Sequence, residues 1–382
     1  MEKSRRQILI ALGASHKTIE ELLVYNKRNF ARIDLQSLPN LPLEDELQMS
    51  VWDEYTAEAQ KNGTFSSLKK RLPQLNFPIR EKISTLEYYR SATLKGTPVQ
   101  DIPEAIGLIL EDPDKLQLSM HESQAGKIPV IIAENRNDFI SLVQALSAKN
   151  EPLEIPDSMG AIMIAGLNNW DRINCLKSVW MNNNPNDFMG LKWDAEFKRI
   201  IADKRLYQDR FIILSSSPYS GVAPSELQLS EKKWAELSLI IRREHECTHY
   251  FTKRILGSME NHLHDEIIAD YMGITAAIGH FRSDWFLRFL GLENFPEYRN
   301  GGRLENYCLN AKLSEDAYAL LQTIAVKAAQ NLEIIDKRCR KNLNTPYARS
   351  MMVILLTQYS IEELSCEDVV DLISEDFYQF TG

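Results

Sequence analysis

No run in the sequence approaches the roughly 18 consecutive apolar residues that a membrane-crossing helix needs. There is no basic excess either: 44 Lys and Arg stand against 53 Asp and Glu, a net charge of −9. That balance argues against a free-standing nucleic-acid binder and against a polybasic protein of the membrane surface. Cysteine is sparse. The five (Cys175, Cys247, Cys308, Cys339 and Cys366) are odd in number, distant from one another and without a CxxC pair. A secreted disulfide framework is thereby excluded, and a reducing, cytoplasmic setting is expected. The opening apolar stretch, Ile8 to Ala14, spans only seven residues before His16-Lys17, too little for a convincing export signal. The usual phosphate and nucleophile signatures are also missing. Gly126-Lys127 lacks the earlier glycine of a Walker loop, the turn at Gly13 has one glycine where GxGxxG has three, and there is no GxSxG.

What is present is globular in character. Hydrophobic residues make up 44% and charged residues 25% of 382 positions, which excludes a disordered or fibrous chain and points to two or three domains. The first half alternates strand-like and helix-like signals. Strands are predicted at 7–12, 30–35, 128–133, 161–165 and 211–214, and helices at 17–26 and from Asn137 through Ala148. The segment Gly166–Asp171 reads as a polar loop around Trp170. From Ser230 onward the pattern is helical, with a long periodic stretch at 314–340 and a capping box at Ser360-Ile-Glu-Glu363. The expected organisation is α/β (α+β). It comprises an N-terminal α/β region at 1–125 of no assignable role, a central core at 126–282 and a helical C-terminal region at 283–382.

One constellation carries chemistry. Residues 245–249 read His-Glu-Cys-Thr-His, an HExxH motif. With seven histidines in the chain, chance would produce it about 0.01 times, which makes it evidence without being proof. On a helix, positions i and i+4 lie one above the other, so His245 and His249 can reach one zinc ion together. Glu246 then falls beside the metal without ligating it, placed to take a proton from a water. The helix is well specified. Residues 231–256 contain neither Pro nor Gly, Ser230 is a ready N-cap, and Gly257 is a ready stop.

A second helix follows, predicted over 260–279. Glu266 and Asp270 share one face, continued by the small residues Gly273 and Ala277, which permit close helix approach. The first helix runs roughly 10 Å past His249, and a returning helix regains roughly 9 Å by Glu266 at 1.5 Å per residue. Glu266 is therefore placed level with His249 as third ligand, and Asp270 level with His245 as the acceptor for a ligand imidazole. Asp265, His262 and His264 are the alternatives for the third position.

These residues resemble the gluzincin group of zinc metallopeptidases, the thermolysin-like enzymes, which carry HExxH on one helix and Glu-x-x-x-Asp on the next. The resemblance covers about 30 residues. It implies a zincin-like metallohydrolase core, a Zn2+ ion held by His245, His249 and Glu266, Glu246 as general base, and Asp270 orienting a histidine. The metzincin pattern fails, since it needs glycine at position 252 and histidine at 255, where this chain has Thr252 and Ile255. In such enzymes an edge strand upstream of the active helix pairs with substrate, and 211–216 is the expected strand. Arg303 and Tyr307, in the glycine-rich stretch 300–307, are candidates for stabilising an oxyanion. The reading is a zinc-dependent hydrolase, foremost a metallopeptidase, acting on a peptide or small amide, without nucleic-acid or membrane partners. The rival readings are a small-molecule amide or ester hydrolase and a non-catalytic protein with a zincin-type metal site.

Overall fold

A computed structural model describes all residues except 1, 28, 29, 31, 32, 186–190, 258–262, 309, 310 and 382. The fold is mixed α+β, with sixteen α-helices and one four-stranded sheet among the described residues. The chain divides into two compact units. One comprises Asp45–Glu122 and Gly126–Ser217, and the other Met1–Glu44, Ser123–Ala125 and Pro218–Gly382. This division differs from the three segments expected from sequence. The stretch 126–282 is split at Ser217/Pro218, and residues 1–44 join the helical C-terminal half.

The sheet holds β1 (Gln117–Ser123), β2 (Gly126–Ala133), β3 (Ala161–Asn168) and β4 (Gln208–Ser215) in the order β1-β2-β4-β3. β4 pairs in parallel with β2 and antiparallel with β3, with an irregularity between Ala165 and Leu167. The apolar run Phe211–Leu214 is fully buried, as an inner strand covered on both faces should be. This corrects the expectation for 211–216: hydrogen-bonded on both sides, it has no free edge to offer a peptide. The helix Arg136–Leu146 covers the sheet through Phe139, Leu142, Val143 and Leu146, which join Trp52, Leu68 and Leu75 in one core. Its N-cap is Asn135, two residues before the expected Asn137, because the Asn135 side chain accepts from the backbone of both Asn137 and Asp138. The predicted loop at 166–171 is shorter than expected. β3 runs to Asn168, Asn169 caps a helix, and Trp170 packs against Gly96 while its indole donates to the Thr93 carbonyl.

In the other unit, residues 7–12 are not a strand. Residues 7–11 complete a helix, Glu2–Ala11, in which Arg5 and Leu9 are buried while Ile10 is exposed. A short apolar run is ambiguous between the two states, and the buried partner of Arg5 on this helix, Glu362, lies 357 residues away in sequence. Of the expected strand at 30–35, Phe30 and Ile33–Leu35 are not in a strand, and 31–32 lie outside the described residues. The helix Glu231–Leu256 starts and ends as predicted: Ser230 accepts from the Lys233 amide, and Gly257 adopts φ +70°. The helix Leu263–Ile278 runs back along it. Beyond them, Glu315–Cys339 packs against Val369–Thr381, and the Ser360–Glu363 capping box is formed on both sides. No helix among the described residues is long and apolar enough to cross a membrane.

Candidate metal centre

His245 and His249 occupy successive turns of Glu231–Leu256 on its buried face. The facing helix can come close because Gly273 has no side chain. A Cβ there would stand 2.7 Å from the Ile241 carbonyl oxygen, one helical turn before His245. That contact brings Glu266 and Asp270 against the two imidazoles.

The ligand atoms converge. His245 Nε2 and His249 Nε2 lie 3.0 Å apart, and each is 3.4 Å from a different oxygen of Glu266. Ligands held about 2.0–2.1 Å from a tetrahedral zinc stand about 3.3 Å from one another. The three groups therefore match the spacing of three corners of such a site, and they are the only set among the described residues with this convergence. Two ring nitrogens facing each other in a buried place is an arrangement that a shared cation resolves.

Around these three stands a second layer of polar groups. His245 Nδ1 lies 2.8 Å from Asp270 Oδ1, and the Tyr219 hydroxyl donates to the same oxygen at 2.5 Å. The other Asp270 oxygen is paired with Arg303. Arg303 also donates to Tyr307 Oη (2.8 Å) and Ser220 Oγ (3.0 Å), and Tyr307 in turn donates to Glu266 Oε2 (2.9 Å). His249 is held differently. Its Nδ1 lies 3.4 Å from Asp265 Oδ2 but makes no hydrogen bond, leaving a buried ring nitrogen unsatisfied.

The field in this cluster favours positive charge. Burial opposes charge on His245, yet the carboxylates of Glu266 and Asp270 outweigh it and lift the imidazole to about 8. Burial is likewise outweighed at His249, which Asp265 and Glu266 push well above the usual range. Despite its burial, Glu266 is held well below the ordinary carboxylate range by the two imidazoles. Asp270 is also lowered against its burial, chiefly by Arg303 and then His245. Glu246 goes the other way. Burial raises its carboxyl, against the pull of both histidines. A cluster that draws protons onto buried histidines would draw a divalent cation by the same attraction.

Each residue singled out from sequence can now be placed. His245, His249, Glu266 and Asp270 come together in the predicted relation. Asp265 faces His249 on the far side from Glu266's oxygens. His264 points elsewhere, lying 3.3 Å from the Leu356 carbonyl and edge-on to Phe30. His262 lies outside the described residues. Arg303 and Tyr307 do enter the site, but their polar groups are engaged with Asp270 and Glu266. They are delivered there because Gly302 packs onto the Leu290 carbonyl, where any Cβ would clash, and the helix Arg303–Cys308 starts at once. Tyr219 was not foreseen. It sits in an irregular turn among serines, with no periodicity to mark it.

A family model matches residues 7–368. The chain belongs to DUF7005, a family of unknown function. No curated protein and no solved structure matches it. The family thus supplies no chemistry, and the functional reading rests on the residues just described.

Proposed function

We propose that this protein is a zinc-dependent hydrolase acting on amide bonds, foremost a metallopeptidase, with His245, His249 and Glu266 as metal ligands and Glu246 as general base. The observation that carries this reading is the convergence of the three ligand atoms at 3.0–3.4 Å, with Glu246 one residue from the first histidine. A structural zinc site usually closes with four protein ligands, whereas three with a free carboxyl alongside is the catalytic pattern. Bound there, zinc supplies Lewis acidity, making a water more acidic and polarising a carbonyl. The chain's own residues do the rest. Glu246 takes the proton from the attacking water and passes it to the leaving nitrogen. Asp270 and Tyr307 keep His245 and Glu266 in the orientation that ligation requires. All five cysteines are free thiols, and free thiols are the state that a reducing, cytoplasmic setting maintains.

The test is a peptide-library hydrolysis assay, run beside a panel of small amides and esters, on wild type and Glu246→Gln. The variant keeps size and polarity but cannot accept the proton. It should fold, retain zinc and lose about 10²–10⁴-fold in turnover. Equal cleavage by both proteins would remove Glu246 from the mechanism.

A further inference from the structure

We propose that Tyr219 is a positioning residue of this centre: with Asp270, its hydroxyl holds the proton of His245 on Nδ1 and so keeps the Nε2 lone pair directed at the metal. The inference rests on the metal-site reading above and adds to it a residue from outside both motif helices.

Tyr219 Oη, Asp270 Oδ1 and His245 Nδ1 form a triangle with sides of 2.5, 2.8 and 3.1 Å. Asp270 is an acceptor only, and a tyrosine carries one hydroxyl proton. If the proton of His245 sat on Nε2, Nδ1 would offer a lone pair to two oxygens, and the single tyrosine proton could relieve only one of the three close contacts. With the proton on Nδ1, every contact is satisfied. Tyr219 donates to Asp270, Nδ1–H donates to Asp270, and the phenol oxygen lies near as a second acceptor. Nε2 is then left as a lone pair, facing His249 Nε2 and Glu266.

Tyr219 is itself fixed. It is buried, its backbone N–H donates to Ser238 Oγ at 3.0 Å, and its ring packs edge-on to Phe289 at 5.0 Å. The guanidinium of Arg303 lies 5.1 Å from the ring centre while pairing with the other oxygen of Asp270. Asp270 is thus gripped from two directions and cannot rotate away from His245. His249 has no comparable grip, since its Nδ1 lacks a hydrogen bond.

The full chain, labelled with ¹⁵N at histidine and stripped of metal by a chelator, reports the tautomer by NMR at a pH where the ring is neutral. The His245 signals are identified by their loss in His245→Gln. The expected result is protonated Nδ1 and bare Nε2 in wild type, with a larger share of the other tautomer in Tyr219→Phe. Chelator competition should show zinc bound about 10-fold more weakly by Tyr219→Phe, at the low end of what outer-shell losses typically cost. A wild-type His245 with its proton on Nε2 would overturn the proposal, and that measurement needs no variant to fold. So would a Tyr219→Phe protein unchanged in both tautomer and zinc affinity. Failure of wild type to bind zinc at all would instead overturn the metal reading, and the tautomer would still decide the role of Tyr219.

Discussion

At the scale of single residues, the site shows how differently ligands and their supports are written in a sequence. His245, His249 and Glu266 are legible because helical spacing dictates which side chains share a face, and a rise of 1.5 Å per residue dictates which face which. Arg303 and Tyr307 were legible only as polar residues near glycines, and the structure engages them with Asp270 and Glu266. Tyr307 donates to Glu266 Oε2, so Tyr307→Phe should weaken zinc binding by about 10-fold or more in chelator competition. A tyrosine acting on an oxyanion would instead leave zinc affinity intact and lower turnover alone, so the two measurements together separate the roles. Tyr219 had no signal at all, since hydrogen bonding across 26 and 51 residues leaves no trace in local pattern.

At the scale of elements, the centre depends on two helices meeting without a side chain between them. Gly273 is the contact, and the atom that an added Cβ would meet at 2.7 Å is a backbone oxygen, which cannot swing aside. Gly273→Ala should therefore cost about 1–3 kcal/mol, as overpacking in a tight core does. It should also weaken metal binding, because Glu266 and Asp270 move with the helix. An unchanged denaturation midpoint and unchanged zinc retention would show that the helices do not rely on this approach. Long elements were readable from sequence: Ser230 to Gly257 bounds its helix as expected, and the periodic stretch 314–340 is the helix Glu315–Cys339. Short apolar runs were not. The stretch 7–12 has strand-like composition, but 7–11 lie in a helix whose inner face carries Arg5 to a distant carboxylate. The run Phe211–Leu214 was readable as a strand but not as an inner one, since pairing partners at 130–133 and 161–168 are set by the whole sheet.

At the scale of the molecule, the N-terminal helix is tied into the unit of the candidate metal centre by a buried ion pair. Arg5 meets Glu362 through two bonds of 2.9 Å, and Asn26 donates to the same carboxylate. Removing the arginine leaves a fully buried charge without its counter-ion, so Arg5→Ala should destabilise the fold by about 3–5 kcal/mol, read from denaturant unfolding. A shift below 1 kcal/mol would mean that water reaches Glu362 and the pair is not structural. The division into two units was hidden from sequence because residues 1–44, 123–125 and 218–382 form one unit although they are far apart in the chain, a closure that no local pattern encodes. The proposed function requires that the unit formed by 1–44, 123–125 and 218–382 hold one metal ion on His245, His249 and Glu266. Elemental analysis of the purified full-length chain tests it most directly, after zinc loading and removal of loosely bound ions. The account predicts about one zinc per chain in wild type and close to none in His249→Ala of unchanged helical content. A wild-type chain without zinc, or a His249→Ala chain that retains it in full, would contradict the account.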